Sequence, residues 1–587
     1  ARESRARGAA GVTALGRPGP GLTDRRALAA DPRAGAGTLL GALAESGADL
    51  DAERVSLGRP WTRPDGGRAE AFALRALIEA VDLCARWYAA HGVRPRDPVA
   101  VWSRDAGAVG VHYFALTRLG AIPALINGRL PADRTRAYVE RIGAVGLLAD
   151  ADLLAGGAFA DARGLLFAAP LDGIAAHERD PLPDWYPYAH GDDDPVLISH
   201  SSGTTAAPKA VMMTHGTLFA AVRYRLRLPL PSGFERILSA VPATHNSGVT
   251  LLLLALANGV PIRLLSEHDP ATVAGEVERF RPSFVGGFAG TFADLSASDL
   301  SGRDLASVAL WWNSGDAAHE AHVRPLLALG SHVEVDASGR RVVPGSLFID
   351  GLGSSEMGHS LFYNVHGREP DTFGRCVGRT YEFARAAVLS RRGDPLPAHQ
   401  VGMLGVKSPT LTPGYWNDSL TTHRARLRGW WLTGDLVYRD DEGRFFHVDR
   451  WSDAIRTEQG MLYSLLAEER ILAACAELRD CTVVGSAGED GRTEVWALLV
   501  LKASGAQGAG APGAAAPAAF DEDAWRARLG ALLRGFGMPG VQRVKQVSSN
   551  ELRVGPTGKV RKRELREWLG SADGPFDPLN PIAGAYE

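Results

Sequence analysis

At 587 residues, 45% of them hydrophobic and 22% charged, the chain is long enough for several domains of roughly 100–200 residues and too apolar to be a disordered protein. A formal net charge of −3 supplies no bulk attraction to nucleic acid or to an anionic membrane. The four cysteines, Cys84, Cys376, Cys475 and Cys481, are scattered, fit no C-x-x-C or zinc spacing, and read as reduced, buried thiols.

Residues 1–40 are rich in Gly, Pro, Arg and Ala without periodicity and read as a poorly ordered lead-in. The opening ARESRARGAAG has no apolar signal region, so the expected compartment is the cytoplasm. From Ala71 to His91 apolar residues recur at helical spacing, and DPVAVW follows as a short strand. VGVHYFALTRLG then reads as a helix, with AIPALIN, VGLLAD and GLLFAA as further strands. A second α/β block opens with VLIS at Val196 and runs through RILSAVP, a VTLLLLALANG helix, PIRLL, PSFVGGF and SVALWWNSGD. The apolar run Val249–Ala257 is far shorter than the ~18–20 residues that cross a bilayer, so no membrane span is expected. After about Thr372 short strands and Gly-rich turns suggest a small, mostly β subdomain. Past Arg450 the α/β texture returns, with LYSLLAEERILAAC and AWRARLGALLRGF as helices, two strands, and a low-complexity Ala/Gly/Pro loop. The expected fold is therefore α/β: a large N-terminal domain (41–449) of two α/β subdomains plus a small β subdomain, followed by a small α+β C-terminal domain (450–587).

Ser199 to His215 reads SHSSGTTAAPKAVMMTH, between the VLIS strand and a helix expected from Thr214. Gly203 lets the backbone bend, Ser201, Ser202, Thr204 and Thr205 offer hydroxyls, and Lys209 adds a positive charge. Phosphate oxygens want such donors, and a helix N-terminus would add to them. By itself the stretch is equally readable as a solvated Ser/Thr turn, and it does not match a Walker A loop. Further along come Pro242-Ala243-Thr244-His245-Asn246-Ser247-Gly248, Asn313-Ser314-Gly315-Asp316-Ala317 at a strand end, and Gly353-Ser354-Ser355-Glu356. Met403-Leu404-Gly405-Val406, Pro413-Gly414-Tyr415, Trp431-Leu432-Thr433-Gly434-Asp435-Leu436, Val448-Asp449-Arg450 and Pro556-Thr557-Gly558-Lys559-Val560 complete the series.

In this order and at these separations the motifs resemble the adenylate-forming superfamily of acyl- and aryl-CoA synthetases, amino-acid adenylation domains and firefly luciferase. The likeness covers Ser199 to Leu565. Departures are Ala206 and Ala210 for two loop glycines, Leu352 where an aromatic usually stacks on adenine, Met403 for a Glu, and one residue fewer before Gly558. The resemblance implies ATP and Mg²⁺, with Lys559, Glu356 and Lys209 catalytic. It also implies nucleotide contacts from Ser201, Ser202, Gly203, Thr204, Thr205, Gly315, Asp316, Ala317, Gly353, Ser354, Ser355, Asp435 and Arg450. Glu356 would hold the magnesium, a hard cation suited to oxygen ligands, with Thr205 a second candidate. The acyl pocket would draw on His245, Asn246, Gly286, Gly287 and Gly290.

The implied reaction is carboxylate activation to an acyl-adenylate with release of pyrophosphate, then transfer to a thiol after the C-terminal domain rotates. Coenzyme A is the expected acceptor, in an acyl-CoA synthetase; carrier-protein pantetheine, water or an amine stay open. A free-standing amino-acid adenylating enzyme fits less well, because THNSG lacks the Asp that commonly meets a substrate amine. A nucleotide-binding homologue without catalysis rests only on the departures named above, and a phosphotransfer NTPase lacks its motifs. Asp453 is the expected hinge residue, with Ser452 the neighbour in register. His319 and His322 read as a solvated helix face, Trp311 and Trp312 as core, and Arg561 to Arg563 as a basic cluster beside Lys559 that is either solvated or assists with phosphates.

Overall fold

The computed structural model describes residues 24–162, 164–174, 180–200, 208–230, 233–315, 317–336, 339–367, 372–488, 492–502, 520–552 and 560–569. Seven of the expected site residues, Ser201, Ser202, Gly203, Thr204, Thr205, Asp316 and Lys559, lie outside them, as does the low-complexity stretch 503–519.

Two large sheets organise the region before Arg450. One has the strand order Gly414–Tyr415, Ala210–Thr214, Pro195–His200, Ile122–Asn127, Pro98–Ser103, Gly146–Ala149, Phe167–Pro170. Its central strands pair in parallel, and Pro98–Ser103 and Ile122–Asn127 are buried at every position. Strands covered on both faces read as unbroken apolar runs, which is why VAVW and IPALI carry no polar alternation. The helix Ala106–Leu119 between them is capped by Asp105, whose carboxylate accepts from Ala108 N, and is closed by Gly120 at φ 83°. The VTLLLLALA run forms the buried helix Asn246–Asn258. Among the described residues no helix is long and apolar enough to cross a membrane.

The second sheet is larger than the texture of the sequence suggests. The strands after Thr372, Cys376–Thr380, Arg385–Leu389, Gly402–Lys407, Trp430–Arg439 and Phe445–Arg450, pair antiparallel among themselves as the small β subdomain. Through one junction they continue the sheet of Leu347–Leu352, Leu310–Gly315 and Phe284–Gly287. The junction is Phe362–His366, antiparallel to Leu347–Leu352 on one side and to Cys376–Thr380 on the other. Past Arg450, Leu478–Ala487, Thr493–Leu501 and Arg543–Gln546 make a third sheet. The helices Ser464–Ala474 and Glu522–Gly535 contribute Ile471, Leu472, Leu529 and Leu533 to its core.

Three sequence expectations are corrected. Residues 24–40, assigned to a poorly ordered lead-in, include a helix at Arg25–Ala30 and the start of another at Leu39. Leu28, Ala34 and Ala36 are buried, and Arg25 donates to Asn258 Oδ1 at 2.7 Å. The helix expected from Thr214 is present, but its N-terminus is not next to the Ser/Thr-rich stretch: Ala210–Thr214 is a strand antiparallel to Pro195–His200. The helix begins at His215 with Thr214 as its N-cap in a Thr214–Thr217 capping box, so its N-terminus is a strand's length from the loop. Finally, His319 and His322 are not a solvated face. His319 Nδ1 lies 2.6 Å from Glu469 Oε2 and His322 Nε2 3.1 Å from Arg479 O, so both join the N-terminal region to the C-terminal one.

Candidate active site

A cavity of about 360 Å³ opens where the second sheet, the Ala210–Thr214 hairpin and the C-terminal region meet. The parallel strands Phe284–Gly287, Leu310–Gly315 and Leu347–Leu352 end at it, as open α/β sheets commonly present binding loops at their carboxyl ends. Of the expected nucleotide residues, Gly315, Ala317, Gly353, Ser354, Ser355, Asp435 and Arg450 all line this cavity, together with Lys209, Glu356, His245 and Gly290. Asn246, Gly286 and Gly287 do not. Asn246 turns its amide to Ser355 O at 2.8 Å. A Cβ at Gly286 would meet Leu251 and Trp312, and one at Gly287 would meet Phe292, so these glycines serve packing against neighbouring elements.

Each polar group is fixed by its local element. His245 caps the Asn246–Asn258 helix, its Nδ1 accepting from Ser247 N at 3.1 Å. That bond leaves the ring proton on Nε2, which faces Ser355 Oγ at 3.4 Å, while Phe288 packs edge-on at 5.0 Å. Asn313 and Ala318, flanking Gly315 and Ala317, are held by Asp350, which is 2% exposed and accepts from Asn313 Nδ2 at 2.6 Å and Ala318 N at 3.0 Å. Burial pushes the Asp350 carboxyl up to about 7. Glu356 accepts from the Tyr415 hydroxyl at 2.9 Å, and Lys209 Nζ stands 5.1 Å from the centre of the Tyr415 ring. Asp435 and Arg450 are directly opposed on antiparallel strands, with Arg450 Nε 3.0 Å from Asp435 Oδ1.

The C-terminal region supplies one wall through Ser452, Asp453, Glu468, Val560 and Lys562. Lys562 is 4% exposed and donates to Glu468 Oε1 at 2.7 Å, an oxygen that also accepts from Val483 N. Burial works against the Lys562 ammonium, yet Glu468, Asp449 and Asp453 hold its pKa above the ordinary lysine value. Burial likewise drives the Asp449 carboxyl up to about 8, opposed by Lys562. Of the two hinge candidates, Asp453 is buried and 3.5 Å from Arg566 Nη1, with its carbonyl accepting from Ser464 Oγ at 2.9 Å; Ser452 is half-buried. The basic cluster is thus divided: Lys562 is inside, whereas Arg563 pairs with Glu567 at the surface.

Sequence reasoning passed over Asp350, Glu468 and the Tyr415 hydroxyl, and it placed Lys562 only within the basic cluster. Asp350 and Glu468 stand in strand and helix stretches without a motif, and only the fold carries Glu468 to the cavity wall and Asp350 against Asn313 and Ala318. Among the described residues no group of three or more His, Cys, Asp or Glu is gathered for a metal. Glu356 is the one expected magnesium ligand among the described cavity residues, and one carboxylate would suit a magnesium that arrives largely coordinated by substrate phosphates.

Residues 65–416 match the family model described as AMP-binding enzyme. A 3-aminoavenalumate diazotase of a Streptomyces species is 47% identical over 553 residues, spanning 93% of this chain and 97% of that protein. The 3-amino-2-hydroxy-4-methoxybenzoate diazotase of Streptomyces cremeus is 29% identical over 492 residues, 78% of this chain and 86% of that one. The fold matches the crystal structure of an anthranilate CoA ligase in complex with anthranoyl-AMP, with TM-score 0.75 at 18% identity over 92% of this chain and 98% of that one. With the described motif residues gathered on one cavity and this likeness running nearly end to end, the chain belongs to the AMP-binding, adenylate-forming enzyme family.

Proposed function

We propose that the chain uses ATP to adenylate nitrite and then nitrosates an aromatic amine, yielding a diazonium product. The observation that carries this reading is the 47% identity to a diazotase along almost the whole of both chains. The chemistry balances. A nitrite oxygen attacks the α-phosphorus, and the bond to pyrophosphate breaks. The amine nitrogen attacks the nitrosyl nitrogen of the mixed anhydride, AMP leaves, and the amine gives up a proton. The nitrosamine then takes up a proton and loses water to become the diazonium ion.

In this scheme Ser201, Ser202, Gly203, Thr204, Thr205 and Lys209 hold the phosphates. Asp435 takes the ribose hydroxyls, Arg450 contacts the nucleotide, and the turn around Gly315, Asp316 and Ala317 meets the base. Glu356, with Thr205, would hold Mg²⁺, which supplies charge neutralisation at the phosphates. Lys559 shares the charge of the departing pyrophosphate, catalysis here being mainly positioning and charge stabilisation. His245, Phe288 and Gly290 border the space for the acceptor. Asp453 is the pivot on which the 450–587 region turns between half-reactions.

The reading in which a carboxylate is activated and passed to coenzyme A or to carrier-protein pantetheine shares the first half-reaction and is supported by the motif series. Pyrophosphate release measured with nitrite, and separately with a panel of carboxylic acids plus coenzyme A, separates the two. The expected result is release that depends on nitrite and an aminobenzoate-type acceptor, with a diazonium product trapped as an azo dye by an added naphthol. Lys559→Ala should abolish it. Release that requires a carboxylic acid and coenzyme A and ignores nitrite would overturn the diazotase reading in favour of the synthetase.

A further inference from the structure

Arg375 is an unlikely residue for its place. Its φ of 68° lies in the left-handed region that glycine adopts freely and side-chain-bearing residues avoid. It is only 3% exposed, yet it forms part of the cavity wall. Backbone outliers of this kind persist where the surroundings over-determine them, often at functional sites.

What holds Arg375 most directly is His447, while the Asp350 and Glu469 carboxylates stand close enough to attract its guanidinium. Arg375 Nε donates to His447 O at 3.1 Å, Nη2 meets His447 Nδ1 at 3.1 Å, and His447 N donates to Arg375 O at 2.9 Å. A guanidinium has donors and no acceptors, so Nδ1 must accept and the ring proton sits on Nε2. Nε2 faces Asp435 Oδ1 at 3.3 Å. The histidine is fully buried and Asp435 is 1% exposed. Arg450 approaches the same oxygen from the cavity side at 3.0 Å. Neither contact has hydrogen-bond geometry; what His447 and Arg450 supply is an N–H dipole and a positive charge within 3.3 Å of Oδ1, which bias where the buried carboxylate rests.

We propose that Arg375 and His447 are positioning residues for nucleotide binding: Arg375 fixes the histidine tautomer, and the histidine biases where the Asp435 carboxylate rests for the ribose of ATP. The proposal rests on Asp435 being the ribose ligand. Neither residue belongs to a motif of the sequence, and they meet only because the strands Cys376–Thr380 and Phe445–Arg450 pair.

Equilibrium binding of a fluorescent ATP analogue, with the KM for ATP and the melting temperature, tests it on the full chain without depending on the acceptor. Arg375→Gly relieves the backbone and unlocks the histidine. The expected result is a melting temperature equal to or above wild type, with ATP binding and KM weakened about tenfold and kcat at saturating ATP changed much less. His447→Phe should weaken ATP to a similar degree. His447→Gln, whose amide can accept from Arg375 and donate to Asp435, should recover most of the loss. Arg375→Gly that binds ATP like wild type, or that loses affinity only in step with lost stability, would overturn the proposal. Asp435→Asn that binds ATP normally would remove the ribose assignment and the proposal with it. Weak binding by Asp435→Asn beside normal binding by both His447 variants would remove the positioning pair alone.

Discussion

Tyr415 stands between two of the residues that the motif series marks as catalytic. Its hydroxyl donates to Glu356 and its ring carries Lys209, so one side chain holds an acid and a base of the cavity at set positions. Burial, then the Glu356 carboxylate, raises the phenol above its ordinary pKa, which keeps it a donor at every working pH. Tyr415→Phe retains the ring face for Lys209 and removes only the hydroxyl. The expected effect is about a tenfold loss in kcat/KM for pyrophosphate formation, with the melting temperature within a few degrees of wild type. Wild-type kinetics in that variant would reduce Tyr415 to packing. The Pro-Gly-Tyr motif was visible in the sequence, but its task was not. That task depends on Gly414–Tyr415 pairing with Val211–Met212, a contact of some 200 residues' separation that no local pattern encodes. Asp435 was legible for the opposite reason: Thr-Gly-Asp-Leu is a local pattern, although the groups around its carboxylate, His447 and Arg450, come from the next strand.

At the scale of elements, periodicity carried the parallel strands and their helices, because burial on both faces leaves an unbroken apolar signature. It did not carry the strand Ala210–Thr214, whose AVMMT follows a Ser/Thr-rich loop and leads directly into a helix without a turn residue between. It also could not show that the short strands after Thr372 extend an existing sheet, since sheet membership is decided by edge pairing. The loop bearing Glu356 is held by such a non-local contact. Thr412 N donates to Glu356 O at 2.8 Å and Thr410 Oγ1 to Met357 O at 2.7 Å. Gly358, at φ 68°, lets the two segments close: a Cβ there would lie 2.3 Å from Thr410 O and 2.6 Å from Met213 Cε. Gly358→Ala should therefore cost about 2 kcal/mol or more, lower the melting temperature by several degrees, and reduce pyrophosphate formation because Glu356 moves with the loop. An unaltered melting curve and rate would show that the segments can part without consequence.

For the whole molecule, the buried titratable groups set a stability profile with a calculable sign. Burial draws His112 down to about 3 and His215, His268, His359 and His366 to about 4. An unfolded histidine titrates near 6.5, so between about 6.5 and 4 the unfolded chain binds protons at these five positions and the folded chain does not. Their contribution is full above about 6.5 and is lost as the pH falls. Asp350, raised to about 7, and Asp449, raised to about 8, act in the opposite sense: their contribution is full at acid pH and is lost as the pH rises toward those values. Near pH 5 the five histidines outweigh the two carboxyls, leaving a net uptake of about three protons on unfolding from these seven groups. At about 1.4 kcal/mol per proton per pH unit, stability should rise by on the order of 4 kcal/mol per unit there. At pH 6.5 the unfolded imidazoles are still about half protonated, so the slope reverses only near pH 7, where the two carboxyls come to outweigh them. Scanning calorimetry from pH 4.5 to 8.5, in buffers of differing ionisation enthalpy, reads both the melting temperature and the protons taken up. A flat melting temperature between pH 4.5 and 6.5, or proton release in that interval, would mean that these imidazoles are solvated in the folded chain. The packing around His112 and His359 would then be looser than the two large sheets imply.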